Sequence, residues 1–351
     1  MVGWRDRAID AGMGLFAASG VHRLAAPYTR GLGAILMFHR VRPRRDETFA
    51  PNAGLEITPQ FLDALLGDLP RRGFDIISLD EALARLRAGA SPRPFAVLTF
   101  DDGYRDLAEY ALPVLERHGA PFTAYVTSGF ADGSARLWWV ELEAAIRRLD
   151  RIDIVAAGSR FTGPCATEAQ KAETHAALYW RLRAGGEAEL LRVALHLCAE
   201  AGVDGQRFSG ELCLGWDGVE ALARHPLATI GAHSVTHARL AQLDLDAALR
   251  EMTESRAALE QRLGAPVRHF CYPVGDPTSA GQREFDLAAE LGFASAVTTR
   301  PGMIFPDHRS RLTALPRLSV NGRHQSLAAL DVLLSGAPFA LMSAMKKVLA
   351  A

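Results

Sequence analysis

Short apolar runs alternate with helix-period stretches along most of this chain, and that alternation narrows the folds open to it. The runs fall at residues 34–39, 75–78, 95–100, 122–126, 227–233, 269–272, 294–298 and 317–320. Between them lie helical patterns at 59–72, 79–88, 107–118, 244–263 and 281–291. Thr58-Pro59 and Asp80-Glu81 supply start signals for the first two. Gly73, Gly119, Gly264 and Gly292 follow four of the ends, where a left-handed cap is wanted. Strands that alternate with helices form a parallel sheet with the helices outside. About eight strands suggest an α/β fold in a closed or nearly closed barrel. An open doubly wound sheet is the alternative, but no G-x-G-x-x-G follows the first strand.

Residues 134–211 break the rhythm. They read as helices, at 140–149, 167–184 and 187–201, and so as a helical insertion between the fourth and fifth strands. The expected organisation is an N-terminal helical segment (1–31), the barrel (32–325) interrupted by the insertion, and a C-terminal helix (326–351). With 39 Lys+Arg against 40 Asp+Glu there is no basic footprint, which argues against a nucleic-acid partner. The four cysteines, Cys165, Cys198, Cys213 and Cys271, form no CxxC pair, so reduced thiols are expected. The N-terminus carries an acid and a short, glycine-broken apolar run, unlike a secretory signal. No stretch reaches the roughly 18 apolar residues of a membrane span. A cytoplasmic protein is expected. The apolar ends at 9–25 and 327–350 either pack on the domain or touch a membrane surface peripherally.

Polar residues gather where strands end. His39 closes the first strand, Asp101-Asp102-Gly103 follow the third, His233 closes the fifth and Tyr272-Pro273-Val274-Gly275 leave the sixth. Barrel enzymes carry their chemistry on that rim. His233 and His237 are four residues apart; if the segment turns helical, both imidazoles share one face and can hold one ion. An aspartate completes a two-histidine, one-carboxylate set with positions left open for water and substrate. Neighbouring side chains diverge, so one aspartate can ligate while the other accepts a proton from the attacking water. The ion expected is divalent, Zn2+ first, with Co2+, Ni2+ or Fe2+ as alternatives that the ligand types do not separate. Taken alone, Asp-Asp-Gly is a common turn and His-x-x-x-His a common solvated helix face. Both at strand ends of one barrel point to a site that activates water.

These motifs resemble those of the NodB-type polysaccharide deacetylases, carbohydrate esterase family 4. Thr99-Phe-Asp-Asp-Gly103 is similar to the first family motif, His233-Ser-Val-Thr-His237 to the second, and Phe270-Cys-Tyr-Pro-Val-Gly275 to a variant of the third. Ile35-Leu-Met-Phe-His39-Arg-Val41 resembles the Tyr-His-Arg-Val opening of one branch. The resemblance covers roughly residues 32–130 and 212–325. It implies an α/β fold, a distorted (β/α)7-8 barrel with the helical insertion, with Asp101 as general base and Asp102, His233 and His237 as metal ligands. Tyr272, Pro273 and Val274 would face substrate, the backbone near Val274 helping to hold the oxyanion. The sequence departs from the family pattern where Cys271 stands in place of an Arg, and the late Asp-Trp and Leu-x-His motifs are absent. The resemblance then leaves His39 as general acid and Arg317 as the substitute arginine.

Of the aromatic residues, Tyr104 is the first choice for stacking on a sugar; Trp138, Trp139 and Trp216 read more readily as core anchors. Asp276 reads as a turn residue. The function expected is a metal-dependent hydrolase that removes N-acetyl groups from an N-acetylated sugar or polysaccharide precursor, cleaving a non-peptide carbon–nitrogen bond. A sugar O-acetyl esterase is the enzymatic alternative. A non-catalytic carbohydrate-binding protein ranks below both, because base and ligands are all present.

Overall fold

Parallel strands need long crossovers, and the helical stretches supply them. The computed structural model describes residues 18–342; the outer parts of the expected terminal helices lie outside the described residues. The strands are β1 (Gly33–Phe38), β2 (Arg40–Val41), β3 (Glu56–Ile57), β4 (Asp75–Ile76), β5 (Phe95–Phe100), β6 (Phe122–Val126), β7 (Arg151–Ala156), β8 (Ser159–Pro164), β9 (Ala228–Ala232), β10 (His269–Cys271), β11 (Ser295–Pro301) and β12 (Leu315–Ser319). The main sheet runs β1-β12-β11-β10-β9-β6-β5, and β5 pairs back onto β1. It is a closed barrel of parallel strands. β1 pairs along the whole of β5, while β4 and β6 take its N-terminal and C-terminal halves, which distorts the closure.

Alternation along each strand sorts the side chains. Leu36, Phe38, Leu98 and Phe100 point out, under the helices. Ile35, Val97, Tyr125, Cys271, Val297 and Leu315 fill the interior. The next inward positions toward the C-terminal rim are Thr99, Asp101 and Arg317, so the packed interior ends in polar groups at the rim. The helices keep their sequence signals. Thr58 Oγ1 accepts from the Phe61 N–H to start the helix Pro59–Arg71, which buries Leu62, Leu65, Leu66 and Leu69. Asp244 does the same for the helix Leu245–Leu263, and Gly264 closes that helix at φ 64°. The 107–118 stretch begins as a wide π turn, Leu107–Ala111, and becomes α-helical only over Leu112–Arg117. Pro113 lacks the N–H that a regular ladder would use there.

The insertion differs from its expected form. It contains the helices Trp138–Arg148, Glu168–Ala184 and Glu187–Glu200, but also an antiparallel hairpin of β7 and β8. Ile152, Ile154 and Ala156 alternate inward while Arg151, Asp153 and Val155 face solvent. Ala157 (φ 50°) and Gly158 (φ 72°) make the two-residue turn. Alanine at the first of these positions hid the usual Asn-Gly signature. The insertion has its own apolar core, around Leu142, Ile146, Leu178 and Leu197, which runs on into Tyr104 and Phe130 of the barrel loops.

At the N-terminal end, the helix Val21–Thr29 buries His22 and Ala26. Asp331 receives His22 Nε2 at 3.0 Å and Arg23 at 3.0 Å, tying both ends of the described chain together. Val21, Leu24 and Tyr28 stay exposed. No helix among the described residues is long and apolar enough to cross a membrane. All four cysteines are free and buried.

Candidate active site

The first motif leaves β5 with Asp101 still in the extended strand direction, its N–H bonded to Phe38 O at 2.9 Å. Its carboxylate therefore stays in the barrel interior. Arg317 of β12 reaches it from across the barrel, with Nη1–Oδ1 and Nη2–Oδ2 both at 2.7 Å. The same guanidinium donates to Thr99 Oγ1, to Thr298 O and toward Cys271 Sγ at 3.1 Å. Arg317 is 1% exposed and Asp101 3%. Burial alone would raise the Asp101 pKa, but the guanidinium outweighs it and holds the carboxyl below its ordinary range. The sequence places cysteine where the family arginine is expected. Arg317 comes from another strand, lies within reach of Cys271 and makes the ion pair with Asp101.

Asp102 turns the other way because its backbone does. Its φ is 70°, and Gly103 follows at 68°. That carries its carboxylate to the histidines: Oδ1 lies 3.3 Å from both His233 Nε2 and His237 Nε2. One ligand atom from each of Asp102, His233 and His237 falls within 4.8 Å of the others. His233 Nδ1 donates to Cys271 O at 2.7 Å, which leaves the Nε2 lone pair facing Asp102. Two neutral imidazole nitrogens and a carboxylate converging on one point fit a divalent ion. The Asp102 pKa lies well below its ordinary value; burial opposes the shift, and the positive charge that the His237 and His233 rings carry when protonated, the charge a bound ion would supply in its place, outweighs it.

The histidines do not meet on a helix, as their spacing suggested. The segment after β9 is an irregular loop with Ser234 and His237 both at φ 62°. Its N–H groups are taken by side chains instead of a helical ladder. Glu251 accepts from Val235 and Thr236, and Ser234 Oγ accepts from His237 N. Glu251 went unmarked in the sequence because it lies on a helix two elements away and carries no local signal.

Val274 shares this backbone state at φ 61°, costly for a β-branched residue. Its carbonyl accepts from Thr299 Oγ1, and its N–H has no acceptor among the described residues. Gly275 must be glycine, since a Cβ there would stand 2.8 Å from Thr299 N. Among the described residues, four of the five left-handed non-glycine residues, Asp102, Ser234, His237 and Val274, lie in these three loops. Such strain persists only where the surroundings enforce it, and it collects at functional sites.

The remaining expectations are placed as follows. His39 ends β1 with its ring partly open to solvent and no hydrogen-bond partner among the described residues. Burial lowers its pKa despite the pull of Asp101 and Asp102. It is thus not a core histidine with a satisfied bond. Tyr104 is not an open stacking platform: it is 1% exposed, and its hydroxyl accepts from Trp139 Nε1 at 3.0 Å. Trp139 in turn packs on His237, with ring centres 4.8 Å apart, so Tyr104 backs the wall of the site. The Tyr272 side chain also turns away from the rim. Its hydroxyl donates to Thr313 O at 2.8 Å and its ring packs on Phe270 and Phe285. Pro273 is buried beside it. Trp138 is buried and Trp216 lies against the barrel core. Asp276 is a turn residue, as expected, but its Oδ2 also accepts from Arg183 of the insertion at 2.8 Å. A cavity of about 300 Å³ opens beside His237, between Glu187 and Leu191 of the insertion and Arg250 and Glu254 of the helix Leu245–Leu263.

The Asp101–Arg317 pair, the cluster of Asp102, His233 and His237 and the strained loops share one barrel rim. The polysaccharide deacetylase family model matches residues 88–295, more than half of the sequence. The chain belongs to the polysaccharide deacetylase family. That match spans the first two motifs and Val274, and leaves His39 and Arg317 outside. Among solved structures, Streptococcus pyogenes deacetylase PplD in complex with acetate aligns with a TM-score of 0.57 at 19% identity, over 86% of this chain and 97% of that one. IcaB from Ammonifex degensii aligns at 0.54 and 17% identity, over 86% and 98%. A polysaccharide deacetylase from Bacillus cereus aligns at 0.53 and 15%, over 86% and 68%. These likenesses show the shared barrel fold. No curated protein matches the chain in sequence. As a polysaccharide deacetylase the chain is a hydrolase, and its substrate is an acetylated carbohydrate.

Proposed function

We propose that this polysaccharide deacetylase is a metal-dependent N-deacetylase acting on an N-acetylated sugar or polysaccharide precursor. The observation that carries the reading is the division of labour between adjacent aspartates. Asp101 is fixed by Arg317, and Asp102 faces two imidazoles whose geometry suits a divalent ion. Asp102, His233 and His237 would hold such an ion, which would supply charge to polarise the acetyl carbonyl and to lower the pKa of water. Asp101 is ionised and accepts the proton of the attacking water. Arg317 sets the orientation of that carboxylate and compensates its charge. The unpartnered N–H of Val274 is the candidate donor to the oxyanion that develops on the carbonyl oxygen. His39 is the candidate acid for the departing nitrogen. The proton that Asp101 takes from the attacking water balances the one the departing nitrogen needs, and His39 is the group that would hand it on.

The test is acetate release from chitooligosaccharides and from an O-acetylated sugar, with metal analysis of the purified protein. N-deacetylation requires acetate from the amide substrate, loss on chelation and recovery with Zn2+ or Co2+. Turnover of the O-acetyl substrate alone would turn the assignment to the esterase. Activity that survives complete chelation would remove the metal from it.

A further inference from the structure

Two anchors run from one short stretch of the insertion to the two strained loops of the site. Arg239 lies two residues after His237 and is 1% exposed. Its guanidinium donates to the Glu187 carboxylate, to Arg183 O and, at 2.8 Å, to Gly185 O. Those carbonyls belong to the end of the helix Glu168–Ala184, where the last acceptors lack helical donors and a cation is favoured. Glu187 opens the next helix. Arg183, from the same junction, donates to Asp276 Oδ2 at 2.8 Å, two residues after Val274. Asp276 uses its other oxygen to hold Thr278 and Ser279 in the following turn.

His237 and Val274 both hold left-handed backbone that the chain would tend to leave if released. We infer that the junction at residues 183–187 is a positioning brace for catalysis, with Arg239–Glu187 holding the His237 loop and Arg183–Asp276 holding the Val274 loop. The insertion is then part of the machinery of the barrel instead of an appended module. The inference rests on the metal-site reading above for its first arm. Its second arm concerns only the Val274 loop.

The two arms have different readouts. Arg239→Met and Glu187→Gln should raise the Zn2+ dissociation constant, measured by calorimetry, about 10- to 100-fold, the usual effect of removing a group that orients a ligand. Arg239→Lys, which keeps the charge, should recover part of it. Arg183→Met should leave the Zn2+ affinity unchanged and lower kcat on chitooligosaccharide about 10-fold at unchanged KM. Circular dichroism and thermal midpoints establish that each variant is folded; if Arg239→Met is not, Glu187→Gln decides its arm. Wild-type Zn2+ affinity in folded Arg239→Met or Glu187→Gln overturns the first arm, and wild-type kcat in Arg183→Met overturns the second. A wild type that binds no Zn2+ fails the metal reading and the first arm together, and the second still stands or falls on kcat.

Discussion

At the scale of single residues, Asp101 and Asp102 differ by one backbone angle and hence by what they face. Asp101→Asn should retain Zn2+ and lose turnover, because it removes a base and leaves the triad intact. Asp102→Asn should weaken Zn2+ binding, because it removes a charged ligand. Metal analysis beside acetate release checks both, and the reverse pattern would exchange their roles. Arg317→Met would leave Asp101 buried without its counter-charge. Breaking one side of a buried pair costs about 3–5 kcal/mol. In urea unfolding, the double change Arg317→Met/Asp101→Asn should recover much of that loss, because no orphaned charge remains. His39→Ala should keep Zn2+ and depress amide hydrolysis by about 10²–10⁴-fold. It should spare an activated aryl acetate, whose leaving group needs no proton. Equal losses on both substrates would make His39 a structural residue.

At the scale of elements, the insertion decides how the rim is walled. Its helix Glu168–Ala184 buries His175 between Phe49 and the Tyr179 ring, and the His175 Nε2 has no hydrogen-bond partner among the described residues. Burial lowers the His175 pKa from 6.5 to about 4. The unfolded chain therefore binds the proton first as pH falls. The neutral ring's contribution is complete above about pH 6.5 and is lost progressively down to about pH 4, amounting to about 3 kcal/mol. Replacing it by a group that does not titrate, as in His175→Gln, should flatten that part of the stability profile. Urea midpoints of both proteins at pH 7 and pH 5 test this: the gap between them should narrow or invert at the lower pH. The hairpin β7–β8 shows why this region was only half legible. Its period-2 pattern at Ile152 and Ile154 is present in the sequence, but it is short, and Ala157 adopts a left-handed turn that composition gives no reason to expect.

At the scale of the whole molecule, closure ties the ends of the fold to its centre. β1 joins β5 to β12, and β12 supplies Arg317 to Asp101. A fragment limited to the family-matched residues 88–295 lacks both strands. It should fail to give a cooperative thermal transition, whereas residues 18–342 should give one; a folded, cooperative fragment would show that closure is dispensable. The sequence by itself determined the strand–helix alternation, because period-2 and period-3.6 apolar patterns and glycine or threonine at helix ends are local properties. It also determined the chemistry-bearing types at Asp101, Asp102, His233 and His237, since their spacing to strand ends is local too. Only the tertiary structure decided which way those groups point. Left-handed backbone at Ser234, His237 and Val274 lies in loops held by partners distant in sequence, such as Glu251 and Thr299. Likewise, Arg317 reaches Asp101, and Tyr104 and Tyr272 turn away from the rim, because contacts across the barrel and with the insertion fix each side chain, and no local pattern carries them.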